Sequence, residues 1–218
     1  MTSYPPASLA VRCILLAVLI LTALLPGVLQ AGSDLGPGSA FGRIGRRFTN
    51  FLPIPQWSTV LKRYQLEQRV DVDCRRGNCP YTEWQRFLDG QRDKDPFTQV
   101  QEVNSFVNRW RYVKDMVNWG IEDYWEVPSE FFEKSGDCED YAIVKFMSLR
   151  ALGFDNDVVR LVAVMDLDLK IGHAVTLVDL DGQTLLLDNQ IKRVIPASSV
   201  HHYKPVFSAN ETTWWLFK

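Results

Sequence analysis

Side chains that do chemistry are scarce in this sequence. Its 218 residues include four cysteines and three histidines. An excess of one charge is lacking too: 24 Lys and Arg stand against 26 Asp and Glu, a net of -2. Neither length nor charge suggests nucleic acid or a strongly charged partner. No second close pair of metal ligands accompanies Cys74 and Cys79, so zinc is the weaker reading of that pair. No internal repeat is visible.

One stretch differs in kind. Leu9 to Leu25 is apolar apart from Arg12 and Thr22, and Pro26-Gly27 ends it. Ala31 then offers a small residue for cleavage. Residues 1–31 read as a secretory signal peptide. The rival is an uncleaved membrane anchor, for which the run is short and the proline early. Either way the body of the protein is expected outside the cytoplasm. There Cys74 and Cys79, bracketing Arg75-Arg76-Gly77-Asn78, read as a local disulfide. Cys13 falls in the signal. Cys138 is left over, and an unpaired exported cysteine is either buried and inert or reactive.

Residues 32–50 hold five glycines, Pro37 and the basic Arg43, Arg46 and Arg47. They read as a flexible linker. Residues 51–218 are one domain's worth of chain. Its first half reads helical. Trp57, Val60, Leu61 and Tyr64 recur at helical spacing, as do Trp84, Phe87 and Leu88. A longer helix is expected from Asp95-Pro96 to Gly120 on an apolar face of Val100, Val103, Phe106, Trp110, Val113 and Val117. Another starts at the Ser135-Gly136-Asp137 cap and stops at Gly153, apolar on most sides and therefore buried. The period then changes. Val158–Val164, His173–Leu180, Gln183–Asp188 and Ile191–Ile195 are strand candidates, with Asp181-Gly182 a hairpin signal. Helices followed by an antiparallel sheet give an α+β order.

Cys138 opens the buried helix, where free backbone N–H groups and the helix dipole favour a thiolate. Asp137, Glu139 and Asp140 surround it in sequence. Helical steps turn them to the opposite flank, so they need not touch the thiol. Such hard oxygen ligands suit calcium. The plainer account is that they cap the helix and match its dipole. For a base, the hairpin chooses among His173, His201 and His202. A two-residue loop at Asp181-Gly182 sets Val175 opposite Asp188, which makes His173 and Asp188 diagonal neighbours on one face. An imidazole so oriented can take a proton from a thiol. His201 and His202 read as a turn before Tyr203. Trp119, Tyr124 and Trp125 suit either a substrate cleft or the core.

The segment GDCEDYAIVKFMSLRALG, with GHAV around His173, LLLDN around Asp188 and RWRYVKDMVNWGIEDYWEVPSEFF upstream, resembles the bacterial transglutaminase-like cysteine proteinases. The likeness runs from roughly Val100 to Ile195. It implies a papain-like, transglutaminase-like core. By matching position it implies Cys138 as nucleophile, His173 as general base and then acid, and Asp188 as orienting carboxylate. It implies a calcium site at Asp137, Glu139 and Asp140. Members of the family work in the periplasm. They cut the N-terminal region of a large outer-membrane adhesin after paired alanines, which releases the adhesin and disperses biofilm. Their partner is an inner-membrane cyclic di-GMP receptor similar to LapD, which sequesters the protease. Two rivals use the same residues: transglutaminase-type acyl transfer to an amine, and a non-catalytic calcium-dependent binding module.

Overall fold

A computed structural model of the chain describes residues 36–69 and 79–218. The expected signal peptide and Cys74 lie outside the described residues. Among the described residues no helix is long and apolar enough to cross a membrane.

From residue 51 onward helices come first, as the periodicity requires. They are α1 (Pro55–Glu67), α2 (Pro80–Asp89), α3 (Pro96–Val107), α4 (Asp115–Asn118), α5 (Pro128–Lys134) and α6 (Cys138–Ala151). Proline opens α1, α2, α3 and α5, where its missing N–H costs nothing. The strands are β1 (Ser39–Ala40), β2 (Arg43–Ile44), β3 (Arg46–Phe48), β4 (Val159–Asp166), β5 (Ile171–Leu180), β6 (Gln183–Leu187), β7 (Ile195–Pro196), β8 (Tyr203–Ala209) and β9 (Trp214–Leu216). Seven of them form an antiparallel sheet in the order β3-β9-β8-β4-β5-β6-β7.

The buried helix α6 is the centre of the fold. Every residue from Asp140 to Leu149 is buried. One flank meets the sheet, where the Thr176 hydroxyl donates to the Ala142 carbonyl at 2.7 Å. Ile143, Phe146, Met147 and Leu149 join Trp57, Val100 and Val103 and the sheet residues Leu161, Val178 and Leu187 in one core. Tyr141 and Val144 join a second cluster with Trp84, Phe106, Phe131 and Phe132. The opposite face of the sheet buries Val162, Val175, Leu177, Leu186, Tyr203 and Trp215.

The β5–β6 hairpin has the expected two-residue loop. Leu180 pairs with Gln183, and the register runs to Thr176 opposite Leu187. Asp181 and Gly182 both take positive φ, 48° and 78°, the pair of left-handed conformations that lets a two-residue turn match strand twist.

Three expectations need correction. The stretch from Gly36 to Phe48 is not a loose linker. β3 pairs with β9 at the far end of the chain, and the buried Arg160 donates to the Ser39 carbonyl at 3.1 Å while pairing with Asp179. Long-range pairing and a buried guanidinium order a glycine-rich segment that has no local preference of its own. The helix from Pro96 stops at Val107, because the chain turns to meet the start of α6: the Val113 N–H donates to the Gly136 carbonyl at 2.9 Å. Of the strand candidate Ile191–Ile195, only its last residue is in a strand, β7 (Ile195–Pro196).

Candidate active site

The hairpin register places His173 and Asp188 as expected. His173 Nε2 lies 2.9 Å from Asp188 Oδ1, and both side chains are buried. A proton on Nε2 serves that bond, which leaves Nδ1 as the basic nitrogen. The Gln190 amide stands 3.4 Å from Nδ1. Asp188 is held from further sides. Its Oδ1 accepts the Gln190 N–H at 2.9 Å and its Oδ2 accepts the Tyr203 hydroxyl at 2.8 Å. Asn108 holds the Asp188 carbonyl at 2.8 Å. Burial opposes charge on Asp188, but the His173, Gln190 and Tyr203 bonds prevail and keep its carboxyl below the usual range.

Among the described residues Cys138 is free and Cys79 is disulfide-bonded. Asp140 fixes the start of α6 by accepting the Asp137 N–H at 2.9 Å and the Glu126 N–H at 2.8 Å. The thiol is partly buried against the core that contains Ala174. Burial pushes the thiol's pKa up, and Glu139 and Asp137 add to the rise, while a hydrogen bond from the Ala174 N–H acts the other way. One expectation fails here. The acids do reach the thiol, which donates to Glu139 Oε2 at 3.1 Å. Glu139 is long enough to fold back along the first turn. In this state burial, helped by the neighbouring acids, holds Cys138 protonated.

Those carboxylates are part of a larger cluster. Ligand atoms of Asp115, Glu126 and Asp140 lie within 4.8 Å of one another, as do those of Asp115, Asp123 and Glu139, and those of Asp137, Cys138 and Glu139. Burial raises Asp115 to about 6, Glu126 to about 8 and Glu139 to about 9, with neighbouring carboxylates adding to each rise. Trp119 and Tyr124 reach this cluster. The Trp119 indole donates to Glu126 at 2.6 Å, and the Tyr124 N–H donates to Asp115 at 2.6 Å. Trp125 packs against the core. His201 is exposed, and His202 stacks edge-on against Tyr203 with its nearest carboxylate, Asp168, at 4.0 Å. Neither joins a metal cluster among the described residues.

The sequence profile of the family described as "Bacterial transglutaminase-like cysteine proteinase BTLCP" matches residues 72–217. The chain belongs to that family. Among solved structures, LapG of Legionella pneumophila is 33% identical, with 72% of this chain aligned to 87% of LapG at a TM-score of 0.58. Calcium-bound LapG matches with the same values, and EGTA-treated LapG at a TM-score of 0.59 over 73% of this chain and 86% of LapG. No curated protein matches the chain. This bacterial transglutaminase-like cysteine proteinase thus has a α+β fold shared with LapG, and it is a cysteine peptidase.

Several residues of the proteinase's site were not singled out from the sequence. Tyr203 and Gln190 were not linked to Asp188, and Asp115, Asp123 and Glu126 were not linked to the acids around Cys138. The second group carried a signal: four acids from Asp115 to Glu126, in a stretch rich in aromatics, exceed what a solvated loop needs.

Proposed function

We propose that the protein is a periplasmic, calcium-dependent cysteine endopeptidase with Cys138, His173 and Asp188 as its triad. The observation that carries the reading is His173 locked at 2.9 Å to buried Asp188, on the strand whose next residue, Ala174, lies in the core cluster that Cys138 packs against. The Cys138 proton passes to His173 Nδ1. The sulfur attacks the scissile carbonyl, and the Cys138 N–H at the open start of α6 donates to the developing oxyanion. Collapse breaks the C–N bond, and the leaving amine takes the proton from His173. Water then attacks the thioester, giving its proton to His173. The acyl product leaves as a carboxylic acid and the thiol is restored.

The acid cluster fits a hard divalent cation. Asp115 Oδ1, Glu126 Oε2 and Asp137 Oδ1 are buried without a hydrogen-bond partner, a costly state for carboxylates. Asp115, Asp137 and Glu139 would hold calcium, with Asp123, Glu126 and Asp140 around them. When bound, the ion supplies the charge that offsets the carboxylates beside the thiol. Family membership, likeness to calcium-bound LapG and the N-terminal apolar segment support the rest of the reading. The substrate is the N-terminal region of a large surface adhesin, released to disperse biofilm. A cyclic di-GMP receptor similar to LapD sequesters the enzyme.

The test is incubation of mature protein with candidate adhesin N-terminal regions, with calcium or chelator, beside Cys138→Ala and His173→Ala. Cleavage is expected from the unaltered protein in calcium alone. A labelled amine is included. Stable amine incorporation in place of cleavage would reassign the chemistry to acyl transfer, and full cellular function of Cys138→Ala would reassign the protein to a binding module.

A further inference from the structure

Helix α6 covers only part of the sheet face it packs on. Residues paired across strands share a face, as do residues two apart on a strand, so the register separates covered rows from open ones. One row runs from Thr176 through Leu161, Ala209 and Trp214 to Phe48. Thr176 bonds α6, and the rest of the row lies in or against the main core. The next row runs Ala174, Ala163, Phe207, Leu216 and Arg46, from β5 across the sheet to β3. It starts at the nucleophile, since Ala174 is in the core cluster that Cys138 packs against. It then opens outward. Ala163 and Phe207 are half-buried, Leu216 is 38% exposed and Arg46 is exposed. A third row, Gly172, Met165 and Lys204, is exposed throughout. A register shift after Ala163 sets Lys204 in this row, three residues from Phe207.

The charged members of the two open rows, Arg46 and Lys204, are both cations. Among the described residues neither stands in a salt bridge. Arg46 is placed over the Phe48 ring at 5.2 Å, and Phe48 stacks on Trp214 at 4.7 Å. The aromatic pair positions the guanidinium without neutralising it.

We infer that this open face is a docking floor for the acyl half of the substrate chain, on which Lys204 and Arg46 select acidic side chains. This rests on the protease reading above and specifies which sequences that site takes. The acyl half stays bonded to Cys138 after the amine half departs, so contacts made to it act on both half-reactions, and the floor is assigned to it. Strand order gives the spacing. β8 is two strands from β5 and β3 is four, which at ~4.8 Å per strand is about 10 Å and about 19 Å across the face. An extended chain covers ~3.3 Å per residue. One acid therefore belongs about three residues before the residue bonded to Cys138, over Lys204, and a second about six residues before it, over Arg46. A carboxylate suits both cations, and the Arg46 fork can hold it through two hydrogen bonds. Leu216 lies between β8 and β3 in the row and favours an uncharged residue between the two acids.

The test alkylates Cys138 with acetyl-X-Gly-Gly-X-Gly-Ala-Ala chloromethyl ketone, where both X are glutamate, glutamine or lysine. Iodoacetamide is the control without a peptide, and calcium is present throughout. On the unaltered protein the glutamate probe is expected to react about fivefold faster than the glutamine probe, the scale of two exposed ion pairs. The lysine probe should be slowest, and the gap should narrow as salt rises. Arg46→Glu with Lys204→Glu should reverse the order and leave iodoacetamide unaffected. Lys204→Glu alone leaves β3 untouched and should remove part of the selection. It decides the matter if the double variant slows iodoacetamide as well. Equal rates for the three peptidyl probes, an order led by lysine, or an order that survives the charge reversals overturns the floor. If iodoacetamide labelling still depends on His173, the protease reading stays intact. Labelling indifferent to His173→Ala overturns the protease reading itself. Sedimentation of the unaltered protein and the double variant is run beside these. A dimer lost in the variant would give the face to a second copy of the chain and overturn the assignment.

Discussion

Tyr203 donates its hydroxyl to Asp188 Oδ2 at 2.8 Å, while His173 occupies Asp188 Oδ1 at 2.9 Å. The carboxylate is therefore clamped from two strands of the sheet, β8 holding one oxygen and β5 the other. The Tyr203 ring also lies 5.6 Å from the His173 ring, centroid to centroid. Tyr203 touches no reacting atom. Its part is to fix the carboxylate that fixes the imidazole.

Tyr203→Phe keeps the ring and removes the hydroxyl. A hydrogen bond to a charged group is worth about 1.5–3 kcal/mol, so kcat should fall about tenfold or more with KM unchanged. A residue that only packs would lose stability and keep kcat. The split between kcat and KM, measured beside a urea melt, tells the two apart.

The route from residue to site was short for some of these groups and long for others. His173 and Asp188 were legible because one local turn, Asp181-Gly182, pins the register of a hairpin. Cys138 was legible because α6 is apolar nearly all round and its cap stands in the sequence. Tyr203 was not, because its meeting with Asp188 depends on β8 lying beyond β4 in the sheet, which no local pattern encodes. Asp115, Asp123 and Glu126 lie in a stretch whose only regular elements are the short α4 and the loop around it. That stretch reaches the site because Val113 bonds to Gly136. The Arg46–Phe48 strand failed for the same reason, since its partner is at the other end of the chain.

Gly136 precedes the Asp137 cap, and a Cβ there would stand 2.2 Å from Asp140 Oδ2 and 2.6 Å from Asp140 Cβ. Asp140 is part of a rigid helix, so the loop must give way. Gly136→Ala should lose the Asp137 N–H bond to Asp140, at about 1–2 kcal/mol for a disrupted helix start. It should also slow iodoacetamide labelling of Cys138. Native stability with a native labelling rate would mean that the loop has room which the 2.2 Å approach denies.

Calcium should act on stability as well as activity. With free ion at about 100 times its dissociation constant, binding to the folded state alone adds about 2.7 kcal/mol. In a domain of this size that is roughly 5–10 °C in Tm. Asp115→Asn with Asp137→Asn should abolish the gain. In chelator the same double variant should melt higher than the unaltered protein, because the buried acids then repel less. A variant that melts lower in both conditions would place these residues in the scaffold and not in the ion site.

Lys145 gives the clearest dependence on pH. It is buried on α6, and its Nζ has no hydrogen-bond partner. Burial lowers its pKa from 10.5 to about 7, and the Asp188 charge opposes the shift. Between about pH 7 and 10.5 the unfolded chain binds the Lys145 proton and the folded chain does not. Stability contributed by this site therefore rises with pH across that window. Below about pH 7 both states carry the proton, and folding bears the whole penalty of a buried ammonium, a few kcal/mol at ~1.4 kcal/mol per pK unit. Lys145→Met fills the same volume without the charge. It should stabilise the protein by about 2–4 kcal/mol at pH 6, by less at pH 9, and by nothing from this source above the window. Urea melts of the two proteins at pH 6 and pH 9 measure the difference. An effect equal at both pH values would mean that Lys145 keeps its proton when folded, with Asp188 close enough to hold it.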